Sequence, residues 1–242
     1  MDRQTEKKLE QNDCRYWAII PAAGLGRRMG ATVAKQYLRI DHRTILELTI
    51  ERLHRIGRLE KIVLVLHPED SSWTFLNTSH YSNIVTAAGG EERCHSVLNG
   101  LEYLKNEAAD NDWILVHDAV RPCVSVGDIE KLISVLADDP VGGILASRVR
   151  ETVKRAGGDT ILETLNREDL WLAATPQMFR YRILHDAMEA AIGNNLQATD
   201  EAAAVEAMGL NVKLVTGRSD NIKVTHPEDI ELARFILEQE QV

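Results

Sequence analysis

An α/β sandwich on a mainly parallel sheet, with a protruding β-hairpin arm, is the fold the sequence predicts. Three observations predict it. Apolar runs of strand length alternate with segments of helical periodicity between residues 16 and 136. One run, Ile62-Val63-Leu64-Val65-Leu66, is continuously apolar, as in a strand buried on both faces of a parallel sheet. Between 142 and 165 the rhythm breaks into two short strands around Gly157-Gly158, the pattern of a hairpin.

The elements follow in order. Residues 16–20 are a strand. Residues 44–56 are helical, with Leu46, Ile50 and Leu53 on one face and Gly57 as the stop. The strand at 61–66 is broken by His67-Pro68. Another at 83–87 runs into Gly89-Gly90, and the helix after it carries Val97, Leu101 and Leu104 at i, i+4 and i+7. Residues 113–117 form a strand with Asp118 at its carboxyl end, and Ile129, Leu132, Ile133 and Leu136 mark the next helix. After the hairpin arm, at about 150–167, come helix 199–208, strand 212–216 and helix 227–239. This order is that of a Rossmann-like three-layer sandwich, a single domain over 15–242 preceded by a polar extension at 1–14.

Composition narrows the function. The 242 residues carry a net charge of −9 and 44% hydrophobic residues, ample for a core. An acidic chain does not favour nucleic acid or an anionic membrane, both of which need a basic face. Three cysteines without a CxxC pair predict no disulfide framework and a cytoplasmic location. The histidines show no zinc spacing, and the opening residues have no apolar signal-peptide core.

The most informative stretch is Pro21-Ala22-Ala23-Gly24-Leu25-Gly26-Arg27-Arg28, followed by Lys35-Gln36-Tyr37. A strand ends there in a loop of small residues, and cations follow. Such residues let backbone N–H groups approach an anion closely, and Arg28 and Lys35 would neutralise its charge. Neither common nucleotide motif fits. Gly30 falls one position late for a dinucleotide fingerprint, and no Gly-Lys-Ser/Thr closes a P-loop. An NAD-binding oxidoreductase is therefore disfavoured, as is a non-catalytic nucleotide-binding regulator, in which Arg28, Lys35 or Asp118 would be expected to be missing.

This loop resembles that of nucleotidyltransferases, and with Lys35-Gln36-Tyr37-Leu38 it resembles the 2-C-methyl-D-erythritol 4-phosphate cytidylyltransferase family. The resemblance runs from about residue 15 to near the end of the chain. It implies transfer of CMP from CTP to 2-C-methyl-D-erythritol 4-phosphate, giving 4-diphosphocytidyl-2-C-methyl-D-erythritol and pyrophosphate. It implies Arg28 and Lys35 as transition-state contacts, with Pro21, Ala22, Ala23, Gly24 and Gly26 on the nucleotide. The family usually has Pro where this chain has Ala34.

Gly89-Gly90-Glu91 with Ser96 resembles the family's base-recognition segment, with Glu91 in place of a common Asp. Cys94 and His95 read as packing or surface residues rather than as nucleophile and base. His117-Asp118-Ala119-Val120-Arg121-Pro122 resembles a second family segment. It implies Ala119 on the nucleotide and Asp118 and Arg121 on substrate. A carboxylate there can hold Mg²⁺, a hard cation that takes oxygen ligands, although an aspartate after a strand can equally cap a turn. Asp220 is a weaker metal candidate.

The resemblance also implies Thr175, Thr199 and Lys223 at the acceptor, with Lys223 a catalytic cation beside Arg28 and Lys35, and Thr152 and Arg167 on an arm reaching into a second subunit of a homodimer. Taken alone, Thr199 reads as a helix N-cap. The competing reading is a ribitol-5-phosphate cytidylyltransferase, distinguished by the acceptor pocket around 152, 167 and 175.

Overall fold

The computed structural model describes residues 14–24, 33–78 and 80–240. Gly26 and Arg28, like residues 1–13 of the extension, lie outside the described residues. Cys14 accepts from the Arg180 guanidinium at 3.3 Å, so residue 14 belongs to the domain rather than to the extension.

The chain begins with β1 (Tyr16–Ala22), whose alternate residues are buried in different clusters: Ala18 and Ile20 in one, Trp17 and Ile19 in another. A single 3-10 turn at Lys35–Tyr37 leads to a small ribbon, β2 (Arg39–Ile40) and β3 (Arg43–Thr44), and then to α1 (Ile45–His54). Thr44 caps α1 in a capping box: its hydroxyl accepts from the Glu47 N–H at 3.1 Å, and the Glu47 carboxylate accepts from the Thr44 N–H at 2.7 Å. Gly57, at φ +69°, takes the left-handed conformation that turns the chain after this helix.

Next come β4 (Leu59–Leu66), β5 (Ile84–Ala88), α2 (Arg93–Leu104), β6 (Trp113–Val116) and α3 (Val126–Leu136). After β7 (Gly142–Arg148), the arm is β8 (Lys154–Gly157) paired antiparallel with β9 (Thr160–Thr164). The turn between them holds Gly158 at φ +57°, which explains a glycine there. Both arm strands are exposed along their whole length, including Ile161 and Leu162.

Residues 168–198, for which the sequence reading assigns no element, hold β10 (Trp171–Arg180) and α4 (Tyr181–Gly193). Strand β10 contains Pro176, which has no N–H to donate and usually argues against an interior strand. It is accommodated because the β7 pairing breaks register between Ala173 and Gln177. The chain closes with α5 (Glu201–Ala207), β11 (Lys213–Thr216) and α6 (Glu228–Gln239).

The main sheet has seven strands in the order β11-β7-β10-β6-β1-β4-β5. It is mixed: β10 runs antiparallel to β6 and β7, and the other neighbouring pairs are parallel. One apolar cluster joins the sheet to α1 and α3; a second joins it to α2, α4 and α5. These are the three expected layers. A third cluster packs α6 against the start of α1 and the 120s loop through Ile45, Leu48, Cys123, Ala233 and Ile236.

Strand β1 pairs with β4 on one side and with β6 on the other. The chain therefore leaves β1 in one direction and returns on its opposite edge. In open α/β sheets, the crevice beyond the carboxyl ends at such a reversal is where ligands bind.

Candidate active site

A cavity of about 890 Å³ lies at that reversal. Its walls include Pro21, Ala22, Ala23 and Gly24 after β1, Gly90 and Glu91 after β5, and Asp118 and Ala119 after β6. Lys35, Arg93, Ser96 and Lys223 complete the part used below.

Close packing explains the glycine pair. A Cβ on Gly89 would stand 2.3 Å from the Ala23 Cβ, and one on Gly90 would stand 2.4 Å from the His95 Cβ. The buried Ser96 hydroxyl accepts from the Gly90 N–H and donates to the Glu92 carbonyl, each at 3.2 Å. Ser96 therefore shapes the Gly89-Gly90 turn as well as lining the cavity. Cys94 and His95 occupy the first turn of α2, and burial pushes the Cys94 thiol pKa up, away from a reactive thiolate.

Lys35 opens the 3-10 turn, and its ammonium reaches the Thr225 carbonyl at 3.3 Å. The buried Gln36 amide ties that turn to the end of β1 by donating to the Ala22 carbonyl at 2.9 Å. Ala34, just before it, sits at φ −63° and ψ 144°. That φ is the one a proline ring imposes, and the extended ψ is one that proline readily adopts.

Asp118 is the centre of the charge arrangement. Its carboxylate is nearly buried, 6% exposed as a residue, yet three cations meet it. Arg93 Nε donates to Oδ1 at 3.1 Å; Lys223 Nζ and Arg121 Nε reach Oδ2 at 2.9 and 3.3 Å. Burial alone would raise the carboxyl pKa. Arg93, then Lys223, then Arg121 outweigh it and hold the group ionised, well below the usual carboxylate range.

A relay of neutral hydrogen bonds fixes the backbone beneath this carboxylate. The Asp118 N–H donates to Thr175 Oγ1 at 3.0 Å. Thr175 Oγ1 lies 2.9 Å from His117 Nδ1, and His117 Nε2 lies 3.1 Å from the Arg121 carbonyl. A carbonyl only accepts, so Nε2 carries the proton and Nδ1 accepts from the threonine hydroxyl. Burial lowers the His117 pKa to about 4, which keeps the imidazole neutral, as this pattern requires. Arg121 also donates to the Asn221 carbonyl at 2.7 Å, and Asn221 donates to the Thr175 carbonyl at 2.8 Å. These bonds dock the segment that carries Lys223.

The remaining expected residues divide. Thr175 is buried beneath Asp118, with its hydroxyl used in the relay, so it supports the cavity rather than lining it. Thr199 is exposed and is not the helix cap. Asp200 caps α5, accepting from the Ala203 N–H at 3.0 Å, and its side chain is also held by Gln177 at 2.8 Å. Thr152 is exposed near the foot of the arm. Arg167 lines a second cavity of about 750 Å³ together with Arg148, Arg150 and Arg218. Asp220 also lies in that second cavity, paired with Arg218, and is not beside Asp118.

The comparisons with known proteins agree with this geometry. The family model described as 2-C-methyl-D-erythritol 4-phosphate cytidylyltransferase matches residues 16–239. The chain belongs to this family. A protein of that name from Pseudomonas syringae pv. tomato is 48% identical over 90% of this chain and 94% of the relative. One from Hahella chejuensis is 44% identical over 92% and 93%, respectively. The crystal structure of the Francisella tularensis 2-C-methyl-D-erythritol 4-phosphate cytidylyltransferase superposes with a TM-score of 0.80 at 36% identity, covering 92% of this chain and 99% of that one. The chain is thus a nucleotidyltransferase, and the ribitol-phosphate reading is not favoured.

Sequence reasoning gave no role to Arg93, His117 or Gln36, and read Glu201 only as a capping glutamate after Thr199 in a segment resembling the family's substrate pocket. The first sits in the glycine-pair segment and the second adjoins Asp118, so their positions were in view. Their partners, however, lie 25 to 108 residues away and emerge only when the strands align.

Ala34→Pro is expected to raise unfolding stability by about 0.4–1 kcal/mol by restricting the unfolded chain, with kcat preserved. Thermal melting and steady-state kinetics check this. A large loss of activity would mean that the turn needs freedom at residue 34.

Proposed function

We propose that the cavity carries out CTP-dependent cytidylyl transfer to 2-C-methyl-D-erythritol 4-phosphate by direct displacement at the α-phosphorus. An oxygen of the acceptor phosphate forms the new bond to that phosphorus, the bond to the bridging oxygen of pyrophosphate breaks, and the electron pair leaves with pyrophosphate. The acceptor oxygen is already ionised, so no side-chain base is needed. Positioning and charge stabilisation carry the catalysis.

The observation that best supports this is the convergence of Arg93, Arg121 and Lys223 on one carboxylate beside a loop of small residues. In this reading Lys35, with Arg28, stabilises the charge building on the triphosphate. The backbone of 21–24, Gly90, Glu91 and Ala119 hold the nucleotide, and Lys223 and Arg121 hold the acceptor phosphate.

Mg²⁺ belongs to the proposal as a partner of the triphosphate. Both Asp118 oxygens already meet cations, which suits a metal held mainly on phosphate oxygens with one protein carboxylate, the usual manner for Mg²⁺. When bound, it would neutralise charge on the departing pyrophosphate. The arm belongs as a dimer element, with Thr152 and Arg167 serving a partner's acceptor pocket. Its exposed apolar residues and the distribution of Arg167 into a separate cavity support this. A cytoplasmic setting accords with three free cysteines, and among the described residues no helix is long and apolar enough to cross a membrane.

The direct test is pyrophosphate release with each of the four ribonucleoside triphosphates against both polyol phosphates. CTP with methylerythritol phosphate should be the preferred pair, and preference for ribitol phosphate would overturn the acceptor assignment. Asp118→Asn is expected to lose activity at low Mg²⁺ and regain part of it at high Mg²⁺. A Mg²⁺ titration that superposes on wild type would remove Asp118 from the metal. Lys35→Ala and Arg167→Ala proteins, each inactive, should regain roughly a quarter of wild-type activity when refolded together, because half the dimers are mixed and each mixed dimer has one intact site. No recovery despite proven subunit exchange would place both residues in one subunit's site.

A further inference from the structure

Glu201 is fully buried at the first turn of α5. Burial pushes its carboxyl pKa up, and Arg93 opposes that shift. The Arg93 guanidinium grips it with two nitrogens, Nη1 on Oε1 and Nη2 on Oε2, the second at 3.1 Å. The third nitrogen of the same guanidinium, Nε, donates to Asp118 Oδ1. Arg93 is therefore a rigid planar spacer between a carboxylate in the core and the carboxylate in the cavity wall. Helix α5 itself is clamped: Gln177 accepts from the Ala202 N–H at 2.9 Å while donating to Asp200. The anchor is fixed to β10, the strand that also carries Thr175 beneath Asp118.

We propose that Glu201 is a positioning residue for the transfer reaction, acting through Arg93 to confine that cation to Asp118 Oδ1. Confinement has two consequences. Asp118 Oδ2 is left for Lys223 and Arg121, whose charges then face the acceptor side together. Arg93, which lines the cavity, is kept from swinging onto the triphosphate as an extra ground-state ligand. Three cations against the two carboxylates, Asp118 and Glu201, leave one net positive charge at the cluster. Without the Glu201 charge the cluster holds phosphate more strongly and less selectively. That form of binding stabilises bound substrate as much as transition state and does not raise kcat.

This inference rests on the cytidylyl-transfer reading, and its test separates the two. Glu201→Gln keeps the shape and removes the charge. Expected are a fall in kcat of at least tenfold, no rise in KM for CTP, and pyrophosphate binding several-fold tighter by calorimetry. A purely structural role would lower kcat only in proportion to the unfolded fraction, monitored by melting, and would not tighten pyrophosphate binding. Either that pattern, or a folded variant with wild-type kcat, overturns the proposal.

Should Glu201→Gln not fold, Arg93→Lys supplies the second arm, since it keeps the charge but cannot grip both carboxylates at once. Its kcat should fall at least tenfold with little change in KM, and wild-type kcat in that variant overturns the proposal. Release of pyrophosphate by the wild-type enzyme from CTP with methylerythritol phosphate, measured alongside, reports on the reaction itself. Pyrophosphate affinity reads the role of Glu201 independently.

Discussion

The ionised carboxylate of Asp118, held almost out of water at the end of β6, is the constraint on which the site depends. Removing a carboxylate from water costs several kcal/mol unless opposite charges and hydrogen bonds replace the solvent. The replacements come from three parts of the chain: Arg93 at the start of α2, Arg121 in the loop after β6, and Lys223 in the segment after β11. Each of these segments must dock for the charge to be tolerated. The same interaction therefore closes the tertiary structure around the cavity and gathers the cations that an anionic substrate needs. An acidic protein can in this way present a locally positive centre, since the charge that matters is the one within a few ångströms.

Beneath that ionic cluster lies a strictly neutral one. The chain from Asp118 N–H through Thr175 and His117 to the Arg121 carbonyl works only while the imidazole accepts at Nδ1. Two carboxyl-terminal features of β6 thus have opposite electrostatic demands within one residue of each other. Burial serves both: it forbids a charge on His117, whose ring nitrogens meet the Thr175 hydroxyl and the Arg121 carbonyl, and it strengthens the pairing of Asp118, which has three cations.

Much of this architecture was legible in the sequence because the signals were local. The apolar run at 62–66, the helical faces of α1 to α3 and the Gly157-Gly158 turn each follow from periodicity or turn chemistry within a dozen residues. The cavity's small-residue walls at 21–24 and 89–90 were legible for the same reason. Strand β10 was not, since Pro176 interrupts its pattern and is admitted only by a register break against β7 that no local signal announces. Thr199 misled because adjacent Thr and Asp can each cap a helix; Asp200, the stronger cap, wins and is also held by its distant partner Gln177. Arg93 and Glu201 show the general limit. An ion pair across 108 residues has no period and no motif, and only the assembled sheet brings its halves together.

The arm poses the opposite problem, being visible in the sequence and uncovered among the described residues. A two-stranded ribbon is marginal in water by itself, and this one exposes Ile161 and Leu162, with no layer laid over them among the described residues. The core cavity is built from strand ends that burial on both faces makes rigid. Arg167 and Thr152, by contrast, stand on or near a segment whose geometry the sheet does not impose. Substrate phosphate contacts demand sub-ångström placement if they are to favour a transition state. Residues of the arm can meet that demand only against a second surface, and so the acceptor contact proposed for Arg167 would depend on whatever surface covers Ile161 and Leu162.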